Sequence, residues 1–244
     1  MLALVALAVA AAGFIKGAIG FGFPSVGTPL LSLLVDVKTA YLVLIVPNIA
    51  MDGIQLLRAG APRAIVRRML PVVVFGAVGM VVGTYLLAVL ASRTVMLILG
   101  SFVLLFVVLN VTRLSPRIPP RWEPWASPAV GLLAGVVGGI TNVPGTPLVI
   151  YFHALGLAKR EFVGAVAFTF VLSKLVQLGA VSWYGLMSGA LLVDSLLLTL
   201  GALAGFGLGL RVQDRLAPAA FNRAVLAFLS LLGVWLVVRS LALS

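Results

Sequence analysis

Two short stretches hold most of the residues that could do chemistry. One is Asn142-Val143-Pro144-Gly145-Thr146-Pro147; the other is Pro24-Ser25-Val26-Gly27-Thr28-Pro29. Each interrupts a long apolar run and reads as a chain reversal followed by Gly-Thr-Pro. That triplet predicts a helix start, with Thr as N-cap and Pro at the first helical position, where no N–H is needed. A helix start leaves backbone N–H groups unpaired and carries about half a positive charge, so it suits an anion. Gly20, Gly22, Gly27, Gly138, Gly139 and Gly145 would let backbone approach a ligand closely, and Ser25, Thr28, Thr141, Asn142 and Thr146 offer side-chain donors. Other chemistries are scarce. The absence of Cys removes thiolate sites and disulfides, and a single His, His153, removes a His-based metal cluster. A Ser25–His153 dyad lacks the Gly-x-Ser-x-Gly setting of a nucleophile. We therefore expect no enzyme, cofactor or metal.

The elements that must position these residues are membrane helices. The chain of 244 residues is 62% hydrophobic and 9% charged, and its mean hydropathy is +1.23. Several apolar runs reach the roughly 20 residues that cross a bilayer, and the short alternating pattern of a membrane barrel is absent. The apolar N-terminus imitates a signal peptide but has no basic leader region, and it takes part in the repeat described below; it is expected to belong to the fold. The net charge of +11 comes from Arg in short loops, which reads as a positive-inside signal rather than a nucleic-acid surface.

The chain is a duplication. Gly13, Gly17, Gly20, Gly27, Thr28 and Pro29 fall at one constant offset on Gly131, Gly135, Gly138, Gly145, Thr146 and Pro147. After a short insertion, Lys38, Asp52 and Gln55 fall on Arg160, Lys174 and Gln177. We expect a first repeat at 1–113, a Pro/Arg-rich cytoplasmic linker at 114–127 and a second repeat at 128–244. The expected fold is all-α and integral to the membrane. Each repeat is a broken or re-entrant helical hairpin followed by three transmembrane helices, at 69–91 and 94–112 after Lys38–Leu57, and at 162–182, 186–210 and 221–241. The helix before the second break is expected to be short, about 11 residues. Three spans is an odd number, so the repeats are inverted. The segments 58–68, 113–127, 157–161 and 211–223 then hold four, three, two and three Lys/Arg on one side, against Lys38, Arg93 and Arg239 on the other. The rich side is cytoplasmic and both termini lie outside the cytoplasmic membrane.

Non-helical backbone at membrane depth is tolerated only inside protein or along a cavity. The expected site therefore lies near the midplane, between two half-helix starts. Ionisable residues within spans cost about 2.5–3.5 kcal/mol each on insertion scales and need a reason. Lys16 lies one turn before the first break and can reach the anion. Asp52 and Lys174 match in the repeat; they either serve the site, Lys174 as charge and Asp52 in proton coupling, or form a structural ion pair, or snorkel to the interface. His153 is a second candidate for proton coupling. Asp194 reads as a first-turn dipole partner.

The run Gly17-Ala18-Ile19-Gly20-Phe21-Gly22-Phe23-Pro24, with Gly27-Thr28-Pro29-Leu30-Leu31 and its second-half copy, resembles the TauE/SafE family of sulfite exporters. The resemblance covers both repeats. It implies export of sulfite, or of an organosulfonate such as sulfoacetate, across the cytoplasmic membrane. The partners expected are a small anion and the bilayer, with the existence of a homo-oligomer left open. The halves differ at Ser25 against Val143 and Pro24 against Asn142, so the site would be asymmetric. The competing expectation is a passive anion or small-solute channel built from the same paired hairpins.

Overall fold

The computed structural model describes residues 2–60, 62–112, 117–213 and 218–242; the side chains of Leu2, Asn110, Thr146, Lys159, Arg160, residues 218–222 and Ala224 fall outside the description. The described residues are helical without strands. In order the helices are α1 (Leu2–Ile19), α2 (Phe23–Leu31), α3 (Val37–Val43), α4 (Ile45–Ala59), α5 (Arg63–Val89), α6 (Ser92–Val111), α7 (Glu123–Thr141), α8 (Gly145–Ala154), α9 (Lys159–Trp183), α10 (Gly189–Val212) and α11 (Pro218–Ala242). Among the described residues, seven spans are long and apolar enough to cross a membrane, and Ala3–Ile19 is a shorter apolar helix. That count differs from the expected six spans plus two hairpins. The first arm of each hairpin is longer than a half-crossing: α1 has 18 residues and α7 has 19, about 27–28 Å at the helical rise. The second arms, α2 with 9 residues and α8 with 10, are half-helices.

Three further expectations are corrected. The helix before the second break has 19 residues rather than about 11, because helix begins inside the expected linker. A 3-10 turn at Pro120–Trp122 leads into α7, with Glu123 and a proline in its first turn, where acid and missing N–H are both welcome. The linker residues 113–116 lie outside the described residues. Thr28 does not cap α2. The chain reverses earlier, at Gly20 (φ 94°) and Gly22 (φ 92°), and Gly22 is the N-cap, so Pro24 sits in the first turn and Pro29 within the helix. Only glycine takes such φ values without strain, and Gly-Phe-Gly is therefore the stronger reversal signal. In the second hairpin α8 starts at Gly145, which places Thr146 and Pro147 in its first turn instead of at cap and first position.

The chain forms two compact units. One comprises Met1–Pro47, Leu90–Arg113 and Met187–Ser244; the other comprises Asn48–Val89 and Leu114–Leu186. Neither is a sequence half. In the first unit α1 packs along α10, and in the second α7 packs along α5. The two pairs have equivalent registers. A Cβ added at Gly13 or Gly17 would strike the carbonyls of Ala202 or Phe206; one added at Gly131 or Gly135 would strike those of Val72 or Gly76. From the other side, Gly205 and Gly209 lie on the carbonyls of Ala10 and Phe14, and Gly79 and Gly83 on those of Leu132 and Val136. Lipid offers no hydrophobic drive for helix association, so close backbone approach through small residues supplies the contact.

Each hairpin returns toward the end it came from. In the second unit the guanidinium of Arg68 on α5 grips Glu123 at the start of α7 through two bonds of 2.5 and 2.7 Å. At the same end, Ile118 N–H donates to the carbonyl of Ala154, which closes α8, at 3.0 Å. Three of the four basic segments thus gather at one end of this unit. In the first unit, Arg93 donates to the carbonyl of Ser240 at 2.7 Å and Arg239 to that of Ser32 at 3.5 Å. The end of α2 therefore lies with the sparse cations of the other class.

Candidate anion site

The break in the second unit is built by residues from two elements. Helix α7 ends at Thr141, whose hydroxyl donates back to the carbonyl of Val137 at 2.7 Å and accepts from Val143 N–H at 3.2 Å. Asn142 follows with φ 69° and is the one non-glycine with positive φ among the described residues. Asn tolerates this left-handed conformation better than most residues, and it caps α7 with its N–H on the carbonyl of Gly138 at 2.8 Å. The chain then turns at Pro144 into α8.

Helix α9 supplies the other wall. Thr169, Ser173 and Gln177 recur at four-residue spacing and form one polar stripe, with Lys174 beside it. All four are buried: 1%, 8%, 0% and 0% exposed for Thr169, Ser173, Gln177 and Lys174. The ammonium of Lys174 donates to the carbonyl of Asn142 at 3.2 Å, to its Oδ1 at 2.5 Å and to Oε1 of Gln177 at 2.6 Å. Gln177 Nε2 closes the ring by donating to Asn142 Oδ1 at 3.1 Å. Three neutral oxygens thus lie within hydrogen-bond reach of the ammonium, which has three N–H bonds to donate. The positive charge lies at the carbonyl end of α7, where the helix dipole is negative. One turn further along, Thr169 and Ser173 line a narrow crevice with Pro144 and Leu148 at the start of α8. The Thr169 hydroxyl is buried there and has no hydrogen-bond partner among the described residues.

The break in the first unit joins α1 to α2. Lys16 is fully buried, and its carbonyl accepts from Gly20 N–H at 2.7 Å as α1 closes. Ser25 and Thr28 are buried within α2, and the Thr28 carbonyl accepts from the Ser32 hydroxyl at 2.7 Å. Gly22 and Ser25 line a small crevice with Phe21, Phe106 and Leu229.

The other expected residues are placed as follows. Gly139 is pressed onto α5, where a Cβ would lie 2.7 Å from Gly83 and Met80 backbone; at Gly138 it would meet the Pro144 ring at 2.7 Å. These glycines set the packing behind the break. A Cβ added at Gly145 would lie 3.4 Å from the ring of Phe170, and one at Gly27 would lie 3.2 Å from the Leu44 side chain. The Thr146 side chain lies outside the described residues. His153 is exposed at the far end of α8, its ring 4.5 Å from that of Phe162. Asp52 is buried, 1% exposed, in the same compact unit as Lys174. Of the residues that make the second break, Thr169, Ser173 and Gln177 carry a sequence signal: their spacing puts three polar side chains on one face of an otherwise apolar span.

A family model described as "Sulfite exporter TauE/SafE" matches residues 5–236. No curated protein matches the chain. No solved structure matches it.

Proposed function

Because the chain belongs to the sulfite exporter TauE/SafE family, we propose that it exports small sulfur oxyanions, sulfite or an organosulfonate such as sulfoacetate, by alternating access. The observation that carries this reading is the second break. There a half-helix start meets a buried polar stripe that includes an ammonium and an unpartnered hydroxyl. In an apolar span such groups are costly unless they serve a ligand or each other. Lys174 is already served by Asn142 and Gln177; Thr169 is not served by any hydrogen bond. The free N–H groups of Gly145 and Thr146 and the Thr169 hydroxyl are donors, which suits sulfur-bound oxygens and repels nothing anionic. The α1–α2 break supplies a second half-helix start, with Phe23 and Ser25 N–H groups in its first turn.

Charge supports the orientation. The cation-rich loops belong in the cytoplasm, both termini outside, and the two hairpins open toward ends of opposite charge class, as inverted repeats would. A membrane potential negative inside drives an anion outward by about 2.3 kcal/mol per charge per 100 mV, so export needs no further coupling.

Thermal unfolding of the purified protein in detergent tests this, with sulfite, sulfoacetate, taurine and sulfate added in turn. One sulfur oxyanion at about 100 times its Kd adds about 2.7 kcal/mol and raises the midpoint. Thr169→Val abolishes that rise while the unliganded midpoint holds. A folded protein stabilised by none of these anions refutes the reading and favours the channel or another solute.

A further inference from the structure

A second cavity lies away from both breaks, wholly within the first unit. Its volume is about 400 Å³, and its walls include Val5, Leu31, Val43 and Leu197, with Thr39 and Asp194 as the polar members. Nothing in the export reading uses it, and a carboxylate in an apolar cavity repels the anions that the breaks attract. The cavity is firmly built: the Ser195 hydroxyl, next to Asp194, donates to the carbonyl of Val43 at 2.8 Å and ties α10 to α3. It occupies the end of the unit where α1, α3 and α10 begin and α2 finishes.

Asp194 is the unusual member. It lies on a membrane span, yet it is exposed and makes no hydrogen bond or ion pair among the described residues. Helix α10 has 24 residues, about 36 Å at the helical rise, against about 30 Å of hydrocarbon. Asp194 is five residues past Gly189, about 7.5 Å along the helix. That depth is near the boundary between head groups and acyl chains. A carboxylate there, above apolar walls, complements a molecule with an ammonium head and a hydrocarbon tail.

We propose that this cavity binds an amine-headed phospholipid. The primary ammonium pairs with Asp194, the Thr39 hydroxyl serves the neighbouring ester or phosphate oxygens, and one acyl chain lies along Val5, Leu31, Val43 and Leu197. A primary ammonium donates hydrogen bonds to the carboxylate. A quaternary choline of the same charge cannot, so the site distinguishes the two head groups.

Native mass spectrometry of the full chain, released from detergent with equimolar phosphatidylethanolamine and phosphatidylcholine of matched acyl chains, tests the proposal. The expected result is about a threefold to fivefold excess of bound phosphatidylethanolamine, the ratio an exposed ion pair supports. Asp194→Asn brings the ratio to about one while total lipid binding persists, because the apolar walls remain. Leu197→Trp, which fills the cavity and keeps the carboxylate, lowers bound lipid of both kinds. Equal binding of the two lipids by the unaltered protein overturns the proposal. So does an excess of phosphatidylethanolamine that survives Asp194→Asn. A soluble short-chain amine that matches the phospholipid in competition shows that the head group alone is recognised and overturns the acyl-chain contact.

Discussion

Asn142 holds backbone and charge at one point. Its φ of 69° ends α7, and its side-chain and main-chain oxygens take two of the three N–H bonds of Lys174. The two roles separate by substitution. Asn142→Gly keeps the left-handed turn but loses Oδ1, an acceptor from a buried ammonium, and is expected to cost about 1.5–3 kcal/mol. Asn142→Ala loses the same oxygen and adds a Cβ at positive φ, about 1–2 kcal/mol more. Unfolding in graded denaturing detergent reads both, and equal losses would remove the backbone argument. The Lys174 ring was partly legible in the sequence, since Asn142 and Lys174 are the polar residues at the break and in the facing span. Their pairing was not legible, because it depends on how α9 is rotated against α7, which no local spacing fixes. The repeat match of Lys174 to Asp52 left a charge pair and a role at the site both open; the hydrogen bonds of the ammonium go to amide and carbonyl oxygens.

Small residues decide the pairing of elements. The glycines of α1 and α7 read as a repeat, and the spans of α5 and α10 carry glycines of their own, but the sequence does not say which stripe meets which. The carbonyls beneath each glycine answer this: α1 lies on α10, and α7 on α5. Gly17→Ala and Gly135→Ala are each expected to force two backbones apart and to cut the yield of monodisperse protein in size-exclusion chromatography. Gly207→Ala, whose Cβ meets nothing within 4 Å, is expected to hold or gain up to about 1 kcal/mol from helix propensity. Tolerance of all three substitutions alike would contradict the close-packed register. The half-helices α2 and α8 carry the same lesson. Gly-Thr-Pro is a good helix start in isolation, yet α2 begins six residues earlier, at Phe23 rather than Pro29, because two glycines at positive φ had already turned the chain.

For the whole molecule, charge and compact units give complementary information. The chain places twelve Lys/Arg in one set of loops and three in the other, a bias that orients membrane proteins. A C-terminal alkaline phosphatase fusion, active only outside the cytoplasm, is expected to be active, and a fusion in the 58–68 loop inactive. The reverse pattern would invert the topology and remove the positive-inside argument, while the outward drive of the membrane potential on an anion would stay as it is. Each compact unit takes helices from both halves of the sequence. Stability is therefore shared between halves, and either repeat expressed alone is expected to be retained poorly in membranes, because α1 and α7 would lack their partners.

The sequence by itself determined the membrane class, the duplication, the two breaks and the loop charge bias. These depend on composition, period and local turn chemistry, which every residue carries regardless of its distant neighbours. It also carried the family, through glycines and prolines that shape the backbone. Only the tertiary structure decided that the α1 stripe lies on α10 and the α7 stripe on α5, that Gly138 and Gly139 pack against neighbouring protein, and that Lys174 donates to Asn142 and Gln177. Those outcomes depend on rotation and register between helices far apart in the chain. In lipid such choices follow from backbone fit and buried hydrogen bonds summed over whole interfaces, and hydropathy gives no signal for them.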